Sequence, residues 1–272
     1  MQIVIEDDFD LKKIAQSGQC FRVWEFEDGT YRFITGKEVL YIRRLDSNEY
    51  EISCDRDTWT QVWFPYFDLG RNYRDVRERI KVRDYCLQQA AETGCGIRIL
   101  RQDPWEMLIT FIISQQKTIP AIKNAVETLA RNHGSLISTD REELYCFPSA
   151  RQLSEVTEEI LREYKLGYRA PYVLDAVRCV TSSRLDLTAV GSFSDRKLFE
   201  ALKQVAGVGD KVANCICLFA YGRTRLAPVD TWIKKVIDQK YRGKNPFPRY
   251  RDAAGIMQQY IFYYAQTHKG EF

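Results

Sequence analysis

Lys211 and Asp230 lie 19 residues apart (230 − 211), and their side chains suit chemistry at a carbon of a sugar. A primary amine is a nucleophile toward such a carbon. If the chain brings a carboxylate close to the amine, that carboxylate stabilises the positive charge that develops on the sugar. Taken singly, each residue is better explained as a solvated lysine or as an aspartate that caps a helix. Their combination with the turn that precedes the lysine favours Lys211 as the nucleophile and Asp230 as the charge-stabilising group.

A glycine-containing turn lies directly before this lysine. Apolar residues recur at helical spacing over residues 198–205 and again over residues 212–219, so the segment predicts a helix, a hairpin and a second helix. Gly207 and Gly209 let the backbone turn tightly around Val208, and the N–H groups of these three residues then point outward at the start of the second helix. Because the helix dipole favours an anion there, we predict a phosphate-binding site that needs no side chain.

The surrounding chain predicts which elements position these groups. Residues 1 to about 70 contain period-two stretches separated by turn signals, which is typical of an antiparallel sheet. These stretches cover residues 21–26, 31–34, 39–42 and 50–52. From Tyr73 onward the periodicity is helical, and Asp230 is predicted to be the N-cap of a helix that runs through Ile237. We therefore predict an α+β fold, with an antiparallel sheet domain over residues 1–80 and a mainly helical body over residues 81–272.

Composition limits the class of protein without identifying it. The chain has 272 residues, 45% of them hydrophobic and 28% charged, which is typical of a globular protein of one to three domains. A net charge of +3 permits binding to nucleic acid but does not demand it. The run 239–251 holds five basic residues, two tyrosines and no carboxylate, and it fits a nucleic-acid contact or a solvated loop equally well.

Cysteine usage and hydropathy indicate the compartment. None of the eight cysteines forms a CxxC pair, which argues against a zinc site and against an iron–sulfur cluster. The chain has no signal-peptide-like start and no apolar run long enough to span a membrane. We therefore expect an intracellular protein with no membrane association, located in the cytoplasm or nucleoid, or in the nucleus if the source is a eukaryote.

The hairpin, the Gly/Pro-rich loop and Asp230 together resemble the motif of helix-hairpin-helix DNA glycosylases, and Lys211 resembles the lysine of those members that also act as lyases. The order of a small sheet and a helical body is similar to the 8-oxoguanine DNA glycosylase family over nearly the whole chain. The similarity is strongest in five segments, which are residues 17–22, 103–122, 166–170, 198–237 and 255–262. The related endonuclease III-like enzymes carry a C-terminal loop of four cysteines, and this chain has no cysteine after Cys217.

The resemblance implies a pocket for the flipped base. The carbonyl of Gly18 would accept a hydrogen bond from N7–H, which 8-oxoguanine has and guanine lacks. Cys215 lies one helical turn after the lysine and would stack on one face of the base. Gln258 and Phe262 are four residues apart and share a helix face, so the amide would read the Watson–Crick edge while the ring stacks on the other face of the base.

The resemblance also implies residues that handle the opposite strand. Gln116 would contact the base left unpaired by flipping, Tyr168 would enter the base stack as a wedge, and Arg169 would read the opposite base. Eukaryotic members place an arginine at the position of Ala121, and alanine cannot hydrogen-bond a base edge. We therefore expect a relaxed preference for the opposite base. Asn214 and Trp232 also depart from the family pattern, since they stand where an acidic residue and a phosphate-contacting histidine are usual.

The activity implied is removal of 8-oxoguanine from duplex DNA followed by strand cleavage through a Schiff base. The expected partner is double-stranded DNA that contains oxidised guanine, and the protein is expected to act as a monomer. No cofactor is expected, with no zinc and no iron–sulfur cluster, although a structural monovalent or divalent cation at the hairpin would fit the family. Two alternatives stay open at this stage, a helix-hairpin-helix glycosylase for an alkylated or ring-opened base and a non-catalytic DNA-binding module.

Overall fold

The computed structural model describes residues 1–268, and residues 269–272 of the predicted helical body lie outside it. The chain forms two compact units. The first unit comprises residues 1–33, residues 40–101 and the chain from residue 222 onward, and the second comprises residues 34–39 and 102–221. The domain boundary near residue 80 rests on the change in sequence pattern and stays a prediction.

Strands and helices of the described residues follow the predicted order, and the predicted α+β fold is confirmed. The strands are β1 (Gln2–Val4), β2 (Trp24–Glu25), β3 (Thr30–Thr35), β4 (Glu38–Arg44), β5 (Glu49–Ile52), β6 (Leu136–Ser138) and β7 (Glu143–Tyr145). The helices are α1 (Leu11–Gln16), α2 (Arg56–Thr58), α3 (Phe64–Tyr66), α4 (Tyr73–Glu78), α5 (Tyr85–Thr93), α6 (Pro104–Ile113), α7 (Ile119–His133), α8 (Ala150–Leu153), α9 (Glu158–Glu163), α10 (Ala170–Thr181), α11 (Asp195–Leu202), α12 (Asp210–Phe219), α13 (Thr231–Lys240) and α14 (Ala254–Thr267). Turns of 3-10 helix cover Gly167–Arg169, Ala189–Ser192 and Phe247–Ala253, and Trp59–Trp63 is a turn of π-helix.

Five strands form an antiparallel sheet in the order β1-β5-β4-β3-β2, as the alternating pattern predicts. The sheet differs from the prediction in two places. The edge strand β1 was not predicted, because its three residues show no pattern of their own and pair with β5, where Gln2 lies opposite Glu51. The predicted strand over residues 21–26 is a strand only at Trp24–Glu25, because Phe21, Arg22 and Val23 are all buried and so do not alternate between two faces.

An aromatic cluster fills the core of the first unit. The ring of Phe67 packs edge-to-face against Phe9, Phe33 and Tyr66 at centroid distances of 5.1 to 5.2 Å. This geometry places the positive ring edge against the negative ring face. The cluster joins Phe33 of strand β3 to Phe9, which precedes α1, and to Tyr66 and Phe67 at the end of α3.

Arg98 is a second centre of the first unit, and its side chain is completely buried. Its guanidinium pairs with Asp7 at 2.9 Å and lies over the ring of Tyr73, 4.1 Å from the ring centroid. It also donates to four backbone carbonyls at 2.7 to 2.9 Å, those of Asp8, Phe67, Asp68 and Arg71. A buried cation is tolerated only when it is paired and hydrogen-bonded in this way.

Helix boundaries near the site follow local signals. Asp103 caps α6 by accepting a hydrogen bond from Glu106 N–H at 2.8 Å, and Pro104 occupies the first turn.

In the second unit α6 packs against α10 and α12. In the first unit α14 packs against α5 and α13. The small β6–β7 hairpin of the second unit was not predicted, because two three-residue strands give too short a pattern to recognise.

Candidate active site

The hairpin of the second unit has the predicted form, with α11 ending at Leu202 and α12 beginning at Asp210. Gly207 has a φ of 80°, and a Cβ atom built on it would lie 2.4 Å from the ring of Tyr172. Only glycine fits there, for both conformational and steric reasons. Gly209 differs, because its φ of −85° suits any residue and a Cβ atom would meet nothing within 4 Å. The predicted helix-hairpin-helix arrangement is confirmed.

Helix α12 carries the candidate nucleophile. The Nζ atom of Lys211 lies 5.3 Å from the ring centroid of Phe111, which is within the range of a cation–π interaction. Phe111 belongs to α6 and stacks on Phe219 of α12 at a centroid distance of 5.6 Å, so the ring beside the amine is packed against a second aromatic ring. Cys215 is 3% exposed and lies one turn further along α12, as its spacing predicts.

The turn after α6 is bonded to the hairpin. The side-chain amide of Gln115 donates to the carbonyl of Gly207 at 3.1 Å. The backbone carbonyl of Gln115 accepts from the guanidinium of Arg169, with Nε at 2.7 Å. Gln116 follows with a φ of 50° and an exposed side chain, a left-handed conformation that is uncommon for a residue other than glycine. Gln115 was missed in the sequence because an amide beside two other polar residues gives no signal of its own.

Tyr168 and Arg169 are neighbours with different exposure. The ring of Tyr168 is 44% exposed and packs edge-to-face against Tyr172 at 6.2 Å. Arg169 is 7% exposed, and its guanidinium lies 4.3 Å from the ring centroid of Tyr168 and also donates to the carbonyl of Leu166 at 3.1 Å. The wedge candidate is therefore accessible. The guanidinium of Arg169 is engaged within the second unit, so reading an opposite base would require it to leave these carbonyls.

The carboxylate of Asp175 accepts a hydrogen bond from the backbone of the hairpin at Ala206. Asp175, on α10, accepts a hydrogen bond from Ala206 N–H at 2.8 Å and pairs with Arg178 and Arg184 at 3.3 Å. Burial raises the pKa of Asp175, but the Ala206 N–H, the Arg178 hydrogen bond and the positive charge of Arg184 lower it more, and the net pKa is below the usual value. Asp175 was not predicted as a site residue. It lies about 30 residues before the hairpin in the sequence, and no local pattern connects it to the hairpin.

Asp230 lies in the first unit and is the N-cap of α13, as predicted. Its Oδ1 atom accepts a hydrogen bond from Ile233 N–H at 2.8 Å. This bond fixes one carboxylate oxygen at the N-terminus of α13. Trp232, which stands where the family has a histidine, packs on Lys235, whose Nζ lies 5.4 Å from a ring centroid of the indole.

The base-reading candidates of the first unit lie on a turn and on a helix. Gly18 has a φ of 72°, which favours glycine. Gln258 and Phe262 lie one turn apart on α14, and Gln258 is 4% exposed. The Oε1 atom of Gln258 is buried and has no hydrogen-bond partner among the described residues. An orphaned acceptor of this kind is costly in a folded protein and is satisfied when a ligand supplies a donor.

Two tyrosines of the basic run 239–251 have a structural role in the first unit. The hydroxyls of Tyr241 and Tyr250 donate to the carboxylate of Asp84 at 2.6 and 2.8 Å. Burial, together with the hydrogen bond to Asp84, raises the pKa of both phenols. The two tyrosines therefore anchor this run to the start of α5, and their interleaving with basic residues is explained without nucleic acid.

Among residues 1–268, no group of three or more His, Cys, Asp or Glu side chains is arranged to hold a metal ion. The expectations about cofactors and a hairpin cation stay predictions. No helix in the described part of the chain is both long enough and apolar enough to cross a membrane.

Two family models match the chain. Residues 2–108 match the N-terminal domain of 8-oxoguanine DNA glycosylase. Residues 109–258 match the HhH-GPD superfamily of base excision DNA repair proteins. The second match contains the hairpin and Asp230, so it covers both candidate catalytic residues.

Individual relatives agree with these models. An N-glycosylase/DNA lyase of Saccharomyces cerevisiae is 35% identical over 259 residues, which are 85% of this chain and 68% of the relative. A crystal structure of Clostridium acetobutylicum 8-oxoguanine glycosylase/lyase, in complex with duplex DNA containing cytosine opposite 8-oxoguanine, is 33% identical with a TM-score of 0.89 and covers 99% of this chain and 98% of its own. The structure of MBOgg1 in complex with a low-affinity DNA ligand is 35% identical with a TM-score of 0.92 and covers 98% and 96%.

The fold and the hairpin site define a base excision repair protein of the HhH-GPD superfamily. Within that superfamily, the chain belongs to the 8-oxoguanine DNA glycosylase family. The resemblance found in five short segments of the sequence is thereby confirmed.

Proposed function

We propose that this chain is a bifunctional DNA glycosylase and AP lyase that removes 8-oxoguanine from duplex DNA. The observation that carries the proposal is helix α12, which begins directly after the glycine hairpin and presents Lys211 in its first turn and Cys215 one turn later. Membership of the 8-oxoguanine DNA glycosylase family, over both halves of the chain, supports the same activity. A hairpin that only bound the DNA backbone would leave this lysine without a purpose.

Catalysis proceeds in two steps that share the lysine. The neutral amine of Lys211 attacks C1′ of the flipped nucleotide, the bond from C1′ to the base breaks, and the base departs with the electron pair and takes up a proton. Asp230 stabilises the positive charge that develops on the sugar. The lysine nitrogen then loses a proton, the bond from C1′ to the ring oxygen O4′ breaks, and O4′ takes up a proton, which leaves an open-chain Schiff base between Lys211 and C1′. This Schiff base acidifies the hydrogen on C2′. Loss of this proton breaks the bond from C3′ to its oxygen and nicks the strand 3′ to the lesion.

Recognition of the base uses four residues. The Gly18 carbonyl accepts a hydrogen bond from N7–H of 8-oxoguanine and repels the N7 lone pair of guanine. The amide of Gln258 bonds to the Watson–Crick edge, which gives its orphaned Oε1 atom a donor. Cys215 and Phe262 enclose the two faces of the ring.

The hairpin and the wedge bind the rest of the duplex. The N–H groups of Gly207, Val208 and Gly209 bind a phosphate at the N-terminus of α12. Tyr168 enters the stack vacated by the flipped nucleotide, and its exposure of 44% leaves it accessible for this role. Gln116 and Arg169 contact the opposite base. The preference among opposite bases is relaxed because the side chain of Ala121 has no group that can hydrogen-bond a base.

The protein acts as a monomer on DNA containing oxidised guanine, without a catalytic metal or other cofactor. A cation held by the hairpin would be structural only. Its place of action is the compartment that holds the DNA, which is the nucleoid, or the nucleus if the source is a eukaryote.

Borohydride trapping tests the proposal directly. The protein is incubated with borohydride and with duplexes carrying 8-oxoguanine, unmodified guanine or a preformed abasic site. A covalent adduct with 8-oxoguanine but not with guanine is expected, because the imine forms only after base release. An adduct with the abasic duplex alone would assign the enzyme to a different base, and no adduct with any duplex would make it a DNA-binding module.

A further inference from the structure

Gln259 lies next to the base-reading residue Gln258 on α14. Its side chain contacts the turn that contains Gly18 instead of the pocket for the base. Its side chain is 2% exposed, and its amide nitrogen donates a hydrogen bond to the backbone carbonyl of Ser17. Ser17 directly precedes Gly18, whose own carbonyl is proposed to distinguish 8-oxoguanine from guanine. The hydrogen bond therefore connects α14 to the recognition turn within the first unit.

The rest of this turn is held by buried side chains. The Ser17 hydroxyl donates to the carbonyl of Ile14 at 2.7 Å and accepts from the amide of Gln19 at 2.8 Å. The amide of Gln19 also donates to the carbonyl of Arg98 at 2.8 Å and accepts from Leu100 N–H at 2.8 Å. Ser17 and Gln19 are both completely buried. The residues on either side of Gly18 are thus fixed, and the Ser17 carbonyl is fixed from α14.

The peptide group that joins Ser17 to Gly18 is planar, so holding its carbonyl oxygen also fixes the direction of the Gly18 nitrogen. The direction of the Gly18 carbonyl then depends on the two dihedral angles of Gly18, and φ is 72°. Glycine has no side chain to restrict these angles, so the neighbouring peptide groups must do so. Gln259 supplies that restraint from the same helix that carries Gln258.

We infer that Gln259 is a positioning residue that sets the Gly18 carbonyl relative to the Gln258 amide and thereby controls selectivity for 8-oxoguanine over guanine. The inference rests on the proposed function. Its physical basis is that a hydrogen bond to N7–H weakens steeply when its angle or length changes, whereas the attack on the sugar does not involve this carbonyl. Loss of the Gln259 amide would also leave the buried Ser17 carbonyl without its donor, and the turn would move to find another.

The test replaces Gln259 with leucine, which has a similar size but no donor. Single-turnover excision of 8-oxoguanine and of guanine is measured together with nicking of a duplex that holds a preformed abasic site. We expect the ratio of 8-oxoguanine to guanine excision to fall about 5- to 10-fold, the loss that corresponds to one hydrogen bond. Nicking at the abasic site should stay within about twofold of the wild type, because no base is present to be read.

Gln266→Leu is the matched control, since it makes the same chemical change on the same helix away from the recognition turn. A second variant, Gln259→Met, removes the donor with a flexible side chain and guards against misfolding of the leucine variant. Thermal unfolding of each variant is recorded beside the activities. The control is expected to keep the wild-type selectivity.

Two outcomes in the variants would overturn the inference alone. Unchanged selectivity in both Gln259 variants would show that the Gly18 carbonyl is held without Gln259. An equal fall in excision and in abasic nicking would mean that Gln259 only supports the fold. A wild-type protein that nicks the abasic duplex but never excises 8-oxoguanine would instead overturn the proposed function and the inference with it, and this result is recognised before any variant is made.

Discussion

The side-chain amide of Gln115 donates a hydrogen bond to the carbonyl of Gly207 at 3.1 Å. The backbone carbonyl of Gln115 in turn accepts from Arg169. One residue of the second unit therefore joins the turn after α6, the hairpin that is proposed to bind a phosphate and the segment that carries the proposed wedge, Tyr168. These hydrogen bonds set the relative positions of the three parts before DNA binds. The three parts are proposed to contact one duplex.

Replacement of Lys211 with glutamine should abolish both chemical steps while preserving DNA binding. Glutamine keeps most of the length and the polarity of the side chain but has no nucleophilic amine, so excision should fall at least about a thousandfold. Single-turnover excision, borohydride trapping and the dissociation constant for lesion DNA measure the two properties separately. Lys197→Gln, on the exposed side of α11, is the control. Trapping that persists in the Lys211 variant would locate the nucleophile elsewhere.

Replacement of Asp230 with asparagine separates its two roles. Asparagine caps a helix as well as aspartate does, so α13 should keep its N-terminal hydrogen bond and the unfolding temperature should hardly change. Base release should slow strongly, because the neutral amide cannot stabilise the sugar cation. Asp230→Ala should in addition lose about 1 kcal/mol of stability. Equal excision rates in wild type and the asparagine variant would remove Asp230 from the mechanism.

Excision should depend only weakly on the base opposite 8-oxoguanine. Ala121 offers no hydrogen bond, so we expect less than about a tenfold difference between cytosine and adenine, in place of the larger discrimination that a bidentate contact gives. Ala121→Arg should increase the preference for cytosine. Single-turnover rates on matched duplexes check this, and a difference of several orders of magnitude in the wild type would contradict it.

Arg98→Met should destabilise the first unit by about 3 to 5 kcal/mol, the cost of breaking a buried ion pair by removing one partner. The loss also leaves several buried carbonyls without their donor. Arg44→Met is the control, because Arg44 also donates to backbone carbonyls but does so on the exposed surface. Urea unfolding of both variants is the measurement. Similar midpoints for the two variants would argue that the guanidinium contributes little.

Stability should fall in acid through Asp7. Burial raises the pKa of Asp7, but hydrogen bonds from Tyr73 N–H, Asp8 N–H, the Arg98 guanidinium and Arg74 N–H lower it more, so the folded-state pKa is below the usual value. A lowered pKa stabilises the fold above the unfolded-state pKa, and this contribution disappears as the pH falls through the folded-state pKa. The free energy of unfolding should therefore decrease below about pH 4. Asp7→Asn should make this decrease shallower in urea titrations between pH 3 and 6.

Sequence signals that act locally located much of the fold and of the candidate site. The hairpin at Gly207, the N-cap at Asp230 and the start of α6 at Asp103 each depend on a few adjacent residues, so their types and spacing suffice. Contacts between distant segments left no such signal. Gln259 and Arg98 were missed for this reason, because an amide in an amphipathic helix and an arginine between isoleucines look like surface residues until the buried carbonyls that they serve are known.

Tyr172 has a ring that occupies the space where a side chain at position 207 would lie, and the same ring packs edge-to-face against Tyr168. The hairpin that is proposed to bind a phosphate and the tyrosine that is proposed to enter the base stack therefore both pack against Tyr172. Their contributions to binding should not be independent. A double-mutant cycle between the hairpin and Tyr168 should give a coupling energy different from zero, as expected if phosphate binding and insertion into the base stack are cooperative.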